Sequence, residues 1–365
     1  MNNSMKTPLI RLAKREGMDK RTVWAIRVGS ILLALLLGAL VIAISGVNPF
    51  KAYGTIITGA LGKKTAIRQT VKIAVPLLGC ALAIAPCFKM RFWNIGAEGQ
   101  TLAGCLATTA VMICLSDKMS NGMLILTMTV AAIAAGALWG FIPAFFKAKW
   151  NTNETLFTLM MNYVATQLVA YFIIVWEVPK GAGQIGIINQ ATELGWLPQL
   201  GGNKYLLSIV VAAVVTVAVY VYLNYSKHGY EISVVGESER TARYVGIKVE
   251  KVIMRTMALS GAICGLAGLL LVGGINHTVT TTIAGGRGFT AVMVSWLAKF
   301  NPIIMVFTSL LLVFLERGAG EISTAFGLNH SFSDILTGII LFFIIGSEFF
   351  ISYKISFRKA AKKED

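Results

Sequence analysis

Apolar runs of membrane-crossing length recur along the whole chain, and no other feature constrains the fold as strongly. A bilayer core takes about 20 apolar residues per helix. Runs that meet or approach this length fall near 28–46, 71–88, 101–116, 122–146, 155–175, 205–223, 256–275, 288–298, 303–315 and 335–352. Ten such segments predict an all-α polytopic membrane protein, because a helix satisfies its own backbone in lipid. The pair 288–298 and 303–315 stands apart. Each is too short to cross alone, and Asn301-Pro302 divides them. They are expected to be short spans or one re-entrant hairpin. Composition agrees, since 56% of the 365 residues are hydrophobic and only 14% are charged. Soluble chains carry roughly 25% charged residues, and disordered chains are richer still in polar groups.

The net charge of +16 follows the topology. Lys and Arg sit in tails and loops between the apolar runs, which is the membrane pattern rather than a nucleic-acid footprint. With the N-terminus inside, 23 of the 33 basic residues fall on the inner side. The reverse orientation inverts that ratio, so N-in/C-in is expected. The expected organisation is a basic inner tail at 1–27, a transmembrane domain at 28–353 with an inner loop at 224–255, and a basic inner tail at 354–365. The first tail is not a cleavable signal, having no isolated apolar stretch followed by a small-residue site. Cys80, Cys87, Cys105, Cys114 and Cys264 lie in or beside apolar runs without CxxC spacing. They are expected to be small packing residues, with neither disulfides nor metal.

Five features stand out against this background. The first is Trp93-Asn94-Ile95-Gly96-Ala97-Glu98-Gly99-Gln100 at the inner start of the third run. An acid near hydrocarbon is costly. Asn94 and Glu98 share a face if the segment is helical, and Thr101, Cys105 and Thr108 extend it. Two readings stand: a lining for a water-filled path, or an interfacial helix start with Glu98 at the positive end of its dipole. The second feature is Thr158, Asn162 and Thr166, spaced by four in the fifth run. They either line a path or hydrogen-bond a neighbouring helix.

The third feature lies in the inner loop. Ser238 suits an N-cap, Glu239 a first turn and Gly246 a C′ position. The two turns between them are not stable in water alone. They either fit a groove on another protein or form an amphipathic surface helix. The fourth is Gly261 and Gly265, a small-residue face for close packing. The fifth is the outer loop Thr278–Thr282 followed by Gly285-Gly286-Arg287-Gly288-Phe289. It leads into the eighth segment as 94–100 leads into the third. The two loops are expected at opposite faces, as in an inverted repeat.

Absences narrow the function. There is no P-loop motif, so the chain does not hydrolyse ATP by that route, and no HExxH. Gly181, Gly183 and Gly186 match GxGxxG but follow no strand, so the match is set aside. An ion-coupled secondary transporter needs acids near midplane, whereas Glu98, Asp334 and Glu348 sit near span ends. An intramembrane enzyme needs a His/Cys/Asp cluster, which the sequence lacks. No catalytic residue and no metal ligand is expected.

The letters themselves carry a family resemblance. WNIGAEGQ at 93–100, TLMMNYVA at 158–165, ISVVGESERTARYVGIKVEK at 232–251 and GFTAVMVSWLAKFNP at 288–302 occur in that order. Together they resemble the permease subunits of ABC importers of the nucleoside and simple-sugar type, a branched-chain-type, ribose-like group. The guanosine-type permeases are the nearest in character. The resemblance spans about 48 to 350. It implies a permease that is no enzyme itself and holds no cofactor, with ATP bound by a partner ATPase. It further implies a second permease subunit as heterodimer partner, an extracytoplasmic substrate-binding lipoprotein, and a bacterial-type cytoplasmic membrane. Nucleosides are the implied solute, with simple sugars or riboflavin as alternatives. By carry-over, Gly236, Glu237, Arg240, Ala242, Arg243 and Gly246 match the ATPase-coupling block. Asn94, Gly96, Glu98, Gly99 and Gln100 match the first-half block. Asn94, Glu98, Gln100, Thr158, Asn162 and Thr166 are the candidate path residues. Trp296 departs from the small residues common at that position, which puts packing near 288–302 in question.

Overall fold

The computed structural model describes residues 10–15, 18–202 and 205–357. Nine helices among the described residues are long and apolar enough to cross a membrane. The expected tenth segment is α11, Arg287–Leu297, which has only 11 residues. The described residues divide into two compact units, one from 67–313 and one from the flanking segments up to 66 and from 314 onward.

The larger unit begins within α3 (Lys64–Lys89). It continues through α4 (Ala97–Leu115), α5 (Asn121–Trp150) and α6 (Glu154–Trp176). Then follow α7 (Leu206–Tyr225), α8 (Lys227–Glu237), α9 (Glu239–Tyr244) and α10 (Val249–Leu271). A π-helical turn, Val272–Asn276, ends α10. The most apolar windows of α3, α4 and α10 are 78%, 56% and 67% buried, against 22–28% for α5, α6 and α7. The first three are therefore the inner helices and the others present most of their surface outward. α5 buries a stripe spaced by four: Leu124, Met128, Ala132, Gly136 and Gly140. That spacing keeps one face of a helix on its neighbour. Here the neighbour is α10. A Cβ added at Gly261 would run into the Gly136 carbonyl, and one at Gly265 into the Ala132 carbonyl. Small residues thus let two backbones touch, which is how helices associate without a hydrophobic drive between them.

The smaller unit holds α1 (Lys20–Ile44), α2 (Pro49–Leu61), the later part of α12 (Pro302–Phe326) and α13 (His330–Ser352). Its core joins Ala34, Ile42, Ile56, Ile322, Leu336 and Ile340. An antiparallel pair, β1 (Ile10–Lys14) with β2 (Tyr353–Phe357), brings the start of α1 and the end of α13 together. Both chain ends therefore lie on one side, as an N-in/C-in arrangement requires. Parts of the expected tails, 1–9 and 358–365, lie outside the described residues.

Several boundaries differ from expectation for local reasons. α1 starts at Lys20 rather than near 28, and Arg27 is paired with Glu348 at 2.5 Å. α12 runs to Phe326 instead of stopping near 315. Its charges are tolerated because Arg317 and Glu321, one turn apart, pair at 3.6 Å. Residues 49–61, between the first two expected runs, form α2. Asn48 caps it by accepting from Phe50 N at 3.0 Å, and Pro49 opens the first turn. Four cysteines are buried as expected, but Cys114 is exposed.

Candidate functional site

The loop between α3 and α4 runs back into the larger unit, and its backbone is satisfied by side chains. Asn94, fully buried, accepts from Gly96 N at 2.9 Å and from Gln100 Nε2 at 3.2 Å, and donates to Ser260 Oγ at 3.1 Å. Thr158 Oγ1 accepts from Ile95 N at 3.2 Å. Asn162 accepts from Gly99 N at 2.8 Å and donates to Ile95 O at 2.9 Å. Such bonds are what buried irregular backbone requires at membrane depth. Asn94, Gln100, Thr158 and Asn162 are thus brought together as a polar peg around residues 94–100. Thr166 is set apart, with its hydroxyl turned to Asn162 O of its own helix.

Glu98 does something else. Its Oε1 accepts from Gly286 N at 2.8 Å and its Oε2 from Gly288 N at 2.7 Å. The two glycine-bearing loops, expected at opposite faces, therefore meet. Each loop turns back into the larger unit, so the start of α4 and the start of α11 touch. The approach is close: a Cβ added at Gly288 would strike Glu98 N. α11 is held from the other side by Ser295 Oγ, which donates to Ala81 O at 3.1 Å. A carboxylate accepting two backbone N–H groups forms charge-assisted bonds, stronger than neutral ones. This junction ties the start of α4 to the start of α11 within the larger unit.

The inner loop forms a built arm. Ser238 Oγ accepts from Thr241 N at 3.2 Å, α9 ends after Tyr244, and Gly246 takes a left-handed φ of 84°. The capping expected from the sequence is all present. α9 is anchored by Ala242, fully buried, and by Arg243, whose guanidinium pairs with Glu250 at 2.7 Å. α8 is anchored by Gly236, where an added Cβ would run into the Lys89 carbonyl. Arg255 ties α8 to α10 through Glu231 at 2.8 Å. The bond from Arg255 holds the Glu231 carboxyl below its ordinary range, aided by His228. What the arm presents outward is Arg240, Glu237, Tyr244 and Val245, with Tyr244 92% exposed. Tyr244 and Val245 together leave a small exposed apolar patch at the tip of the arm.

Two features were not visible in the sequence. Residues 177–202 form an ordered outer cap rather than a plain loop. Ile188 N bonds His277 O at 2.8 Å, Leu197 N bonds Gly273 O at 2.9 Å, and the Trp196 ring stacks on His277. The second is a ring cluster of Phe88, Trp93, Trp296 and Phe300, drawn from segments 200 residues apart. Trp296, the departure from the family pattern, is accommodated by edge-on contacts with Phe88 and Phe300 and a tilted contact with Trp93. Among the described residues, no group of three or more His, Cys, Asp or Glu could hold a metal ion.

A family model described as branched-chain amino acid transport system / permease component matches residues 67–345. The guanosine ABC transporter permease protein NupP of Bacillus subtilis is 31% identical, covering 87% of this chain and 92% of that one. The glucose ABC transporter permease protein TsgB13 of Haloferax volcanii is 29% identical, covering 95% and 93%. The nucleoside ABC transporter permease protein NupB of Lactococcus lactis subsp. cremoris is 27% identical, covering 92% and 94%. An integral membrane protein with this clamp and this arm, the chain belongs to the family of permease components of branched-chain amino acid-type transport systems.

Proposed function

We propose that this chain is the transmembrane permease subunit of an ATP-driven importer whose solute is a nucleoside. The observation that carries the reading is the arm. α9 is a six-residue helix too short to stand alone, yet it is braced by Gly236, Ala242 and the Arg243–Glu250 pair. It can therefore transmit force as a rigid lever. A cytoplasmic ATPase docks on Tyr244, Val245, Arg240 and Glu237, with Gly246 ending the lever. Closure of the ATPases swings the arm, and the larger unit switches between two packed arrangements. Glu98 and the peg residues Asn94, Gln100, Thr158 and Asn162 keep the path-forming segments in register. A second, similar permease subunit completes the path in the bacterial plasma membrane. A substrate-binding lipoprotein delivers the solute from outside.

The nucleoside choice draws support from two relatives of nearly full length with guanosine or nucleoside names. Glucose is the second reading, favoured by one relative that covers 95% of the chain. The test is uptake of labelled guanosine and labelled glucose by cells carrying the complete complex, with and without a catalytically dead ATPase. ATPase-dependent guanosine uptake is expected. Uptake that persists with the dead ATPase would sink the importer reading, and glucose uptake alone would replace the solute. For the arm, Arg240→Ala with Tyr244→Ala should leave the melting temperature unchanged and lower the co-purified ATPase at least tenfold. Normal co-purification would remove α9 from the docking role.

A further inference from the structure

At the inner end of the larger unit, the ring cluster and the arm enclose a cleft of about 540 Å³. Small-molecule sites run from roughly 300 to 1,000 Å³. One wall is aromatic. Phe88 and Phe300 stack at 6.0 Å and 4°, and Trp93 meets Trp296 at 5.7 Å. Phe88 is buried, but Trp93 and Trp296 remain 44% and 47% exposed. The rings thus form a packed aromatic wall of which Trp93 and Trp296 stay nearly half exposed, a surface against which a flat heteroaromatic ring can stack.

The rim is charged. Lys89 and Arg91 line it, set against the single carboxylate of Glu237. The Lys89 ammonium is held in place by Leu223 O at 3.4 Å. The backbone around the cleft is unusual. Arg91, Lys299 and Phe300 all take left-handed φ values, 60°, 49° and 59°. Non-glycine residues rarely adopt that region, and such strain gathers at ligand sites. The far wall is Gly236 and Glu237, directly before the Ser238 cap of α9. The near wall includes Trp93, next to the Asn94 peg.

We infer that this cleft binds a planar heteroaromatic ring bearing an anionic group, with a nucleoside monophosphate as the matching chemistry. The base stacks on Trp93 and Trp296. The phosphate meets Arg91 and Lys89 on the rim. The choice of a nucleoside form rests on the solute reading above. The cleft lies at the inner end of the larger unit, so it meets the solute's derivatives only after import. A ligand there touches both the peg loop and the arm, and its occupancy restrains the arm and slows import.

The test uses the full chain in nanodiscs of zwitterionic lipid and equilibrium dialysis with labelled guanosine monophosphate. Saturable binding is expected. Trp296→Leu should weaken it at least tenfold. Arg91→Gln should weaken the monophosphate about tenfold and guanosine less than twofold. Melting temperatures confirm that both variants are folded, and Arg91 is exposed, so its variant stands even if Trp296→Leu does not. No saturable binding overturns the inference, as does equal affinity in both variants. Competition by phosphatidylglycerol in the disc overturns it in favour of a lipid site, and competition by inorganic phosphate alone in favour of a plain anion site. Guanosine uptake is measured separately. Uptake without monophosphate binding removes this site and leaves the solute reading intact. Binding without uptake does the reverse.

Discussion

Glu98 and Glu177 hold the same kind of ligand in two very different places. Each carboxylate accepts two glycine N–H groups that are two residues apart. Glu98 takes Gly286 and Gly288 at 2.8 and 2.7 Å, and Glu177 takes Gly181 and Gly183 at 2.7 Å each. The difference is separation along the chain. Glu98 reaches 188 and 190 residues, and Glu177 reaches four and six. Glu177 therefore orders a turn that is already half closed. Glu98 joins segments that only the folded unit brings together, and chain entropy opposes that closure more strongly. The same bond pattern is a local cap in one case and a lock between distant segments in the other.

The strongest way to break that contrast is a methyl group at each glycine partner. Gly288→Ala puts a Cβ into the Glu98 backbone, in a place where both loops are fixed. Overpacking of this kind costs about 1–3 kcal/mol or more. It should remove most of the folded protein from membranes, as read by size-exclusion of a fluorescent fusion. Gly183→Ala meets nothing within 4 Å and is strained only by its φ of 67°. It should cost roughly 1–2 kcal/mol at most and leave the folded yield intact. Equal yields would mean that the Glu98 junction yields as easily as the outer turn.

Next comes the carboxylate itself. Glu98→Leu leaves the Gly286 and Gly288 N–H groups without an acceptor, at about 1–3 kcal/mol for a buried unsatisfied donor. Glu98→Gln keeps one acceptor but turns an NH₂ group toward the second donor. Melting temperature and uptake should fall together, wild type above Gln above Leu. A loss of uptake with unchanged melting would assign Glu98 to a water-lined path instead of a lock.

How legible these features were depends on whether their cause is local. Ser238, Gly246 and the two turns between them could be read directly, because caps act within a few residues. Gly261 and Gly265 were legible as a packing face for the same reason. Glu98 and Gly285–Gly288 were each visible as unusual, and their likeness suggested a repeat. That they touch was not visible, since nothing in either segment encodes its partner across 188 residues. The stripe spaced by four in the fifth run has a local cause in helix geometry. Thr158 and Asn162 do share a buried face, but their partners are backbone groups of the 94–100 loop. The ring cluster and the ordered cap at 177–202 were invisible, because each needs contacts from distant segments. The end of α12 was misjudged because charges stop an apolar reading, while Arg317 and Glu321 neutralise each other along the helix.

The smallest expected effect concerns acid. The Gly181 and Gly183 N–H bonds hold the Glu177 carboxyl below its ordinary range, with Lys180 adding to the effect. A carboxyl lowered by folding lends stability that is complete above its unfolded value. That stability disappears as pH falls through the lower folded value. The outer turn should therefore keep its order through the ordinary carboxylate range near pH 4.3 and lose it only below. Hydrogen exchange at the Gly181 and Gly183 amides reads this directly. In Glu177→Gln the acid transition should vanish, and exchange should be faster at every pH above it. The rest of the larger unit should not respond, since the bonds span only six residues. A global loss of protection in Glu177→Gln would make this carboxylate a second lock and erase the contrast with Glu98.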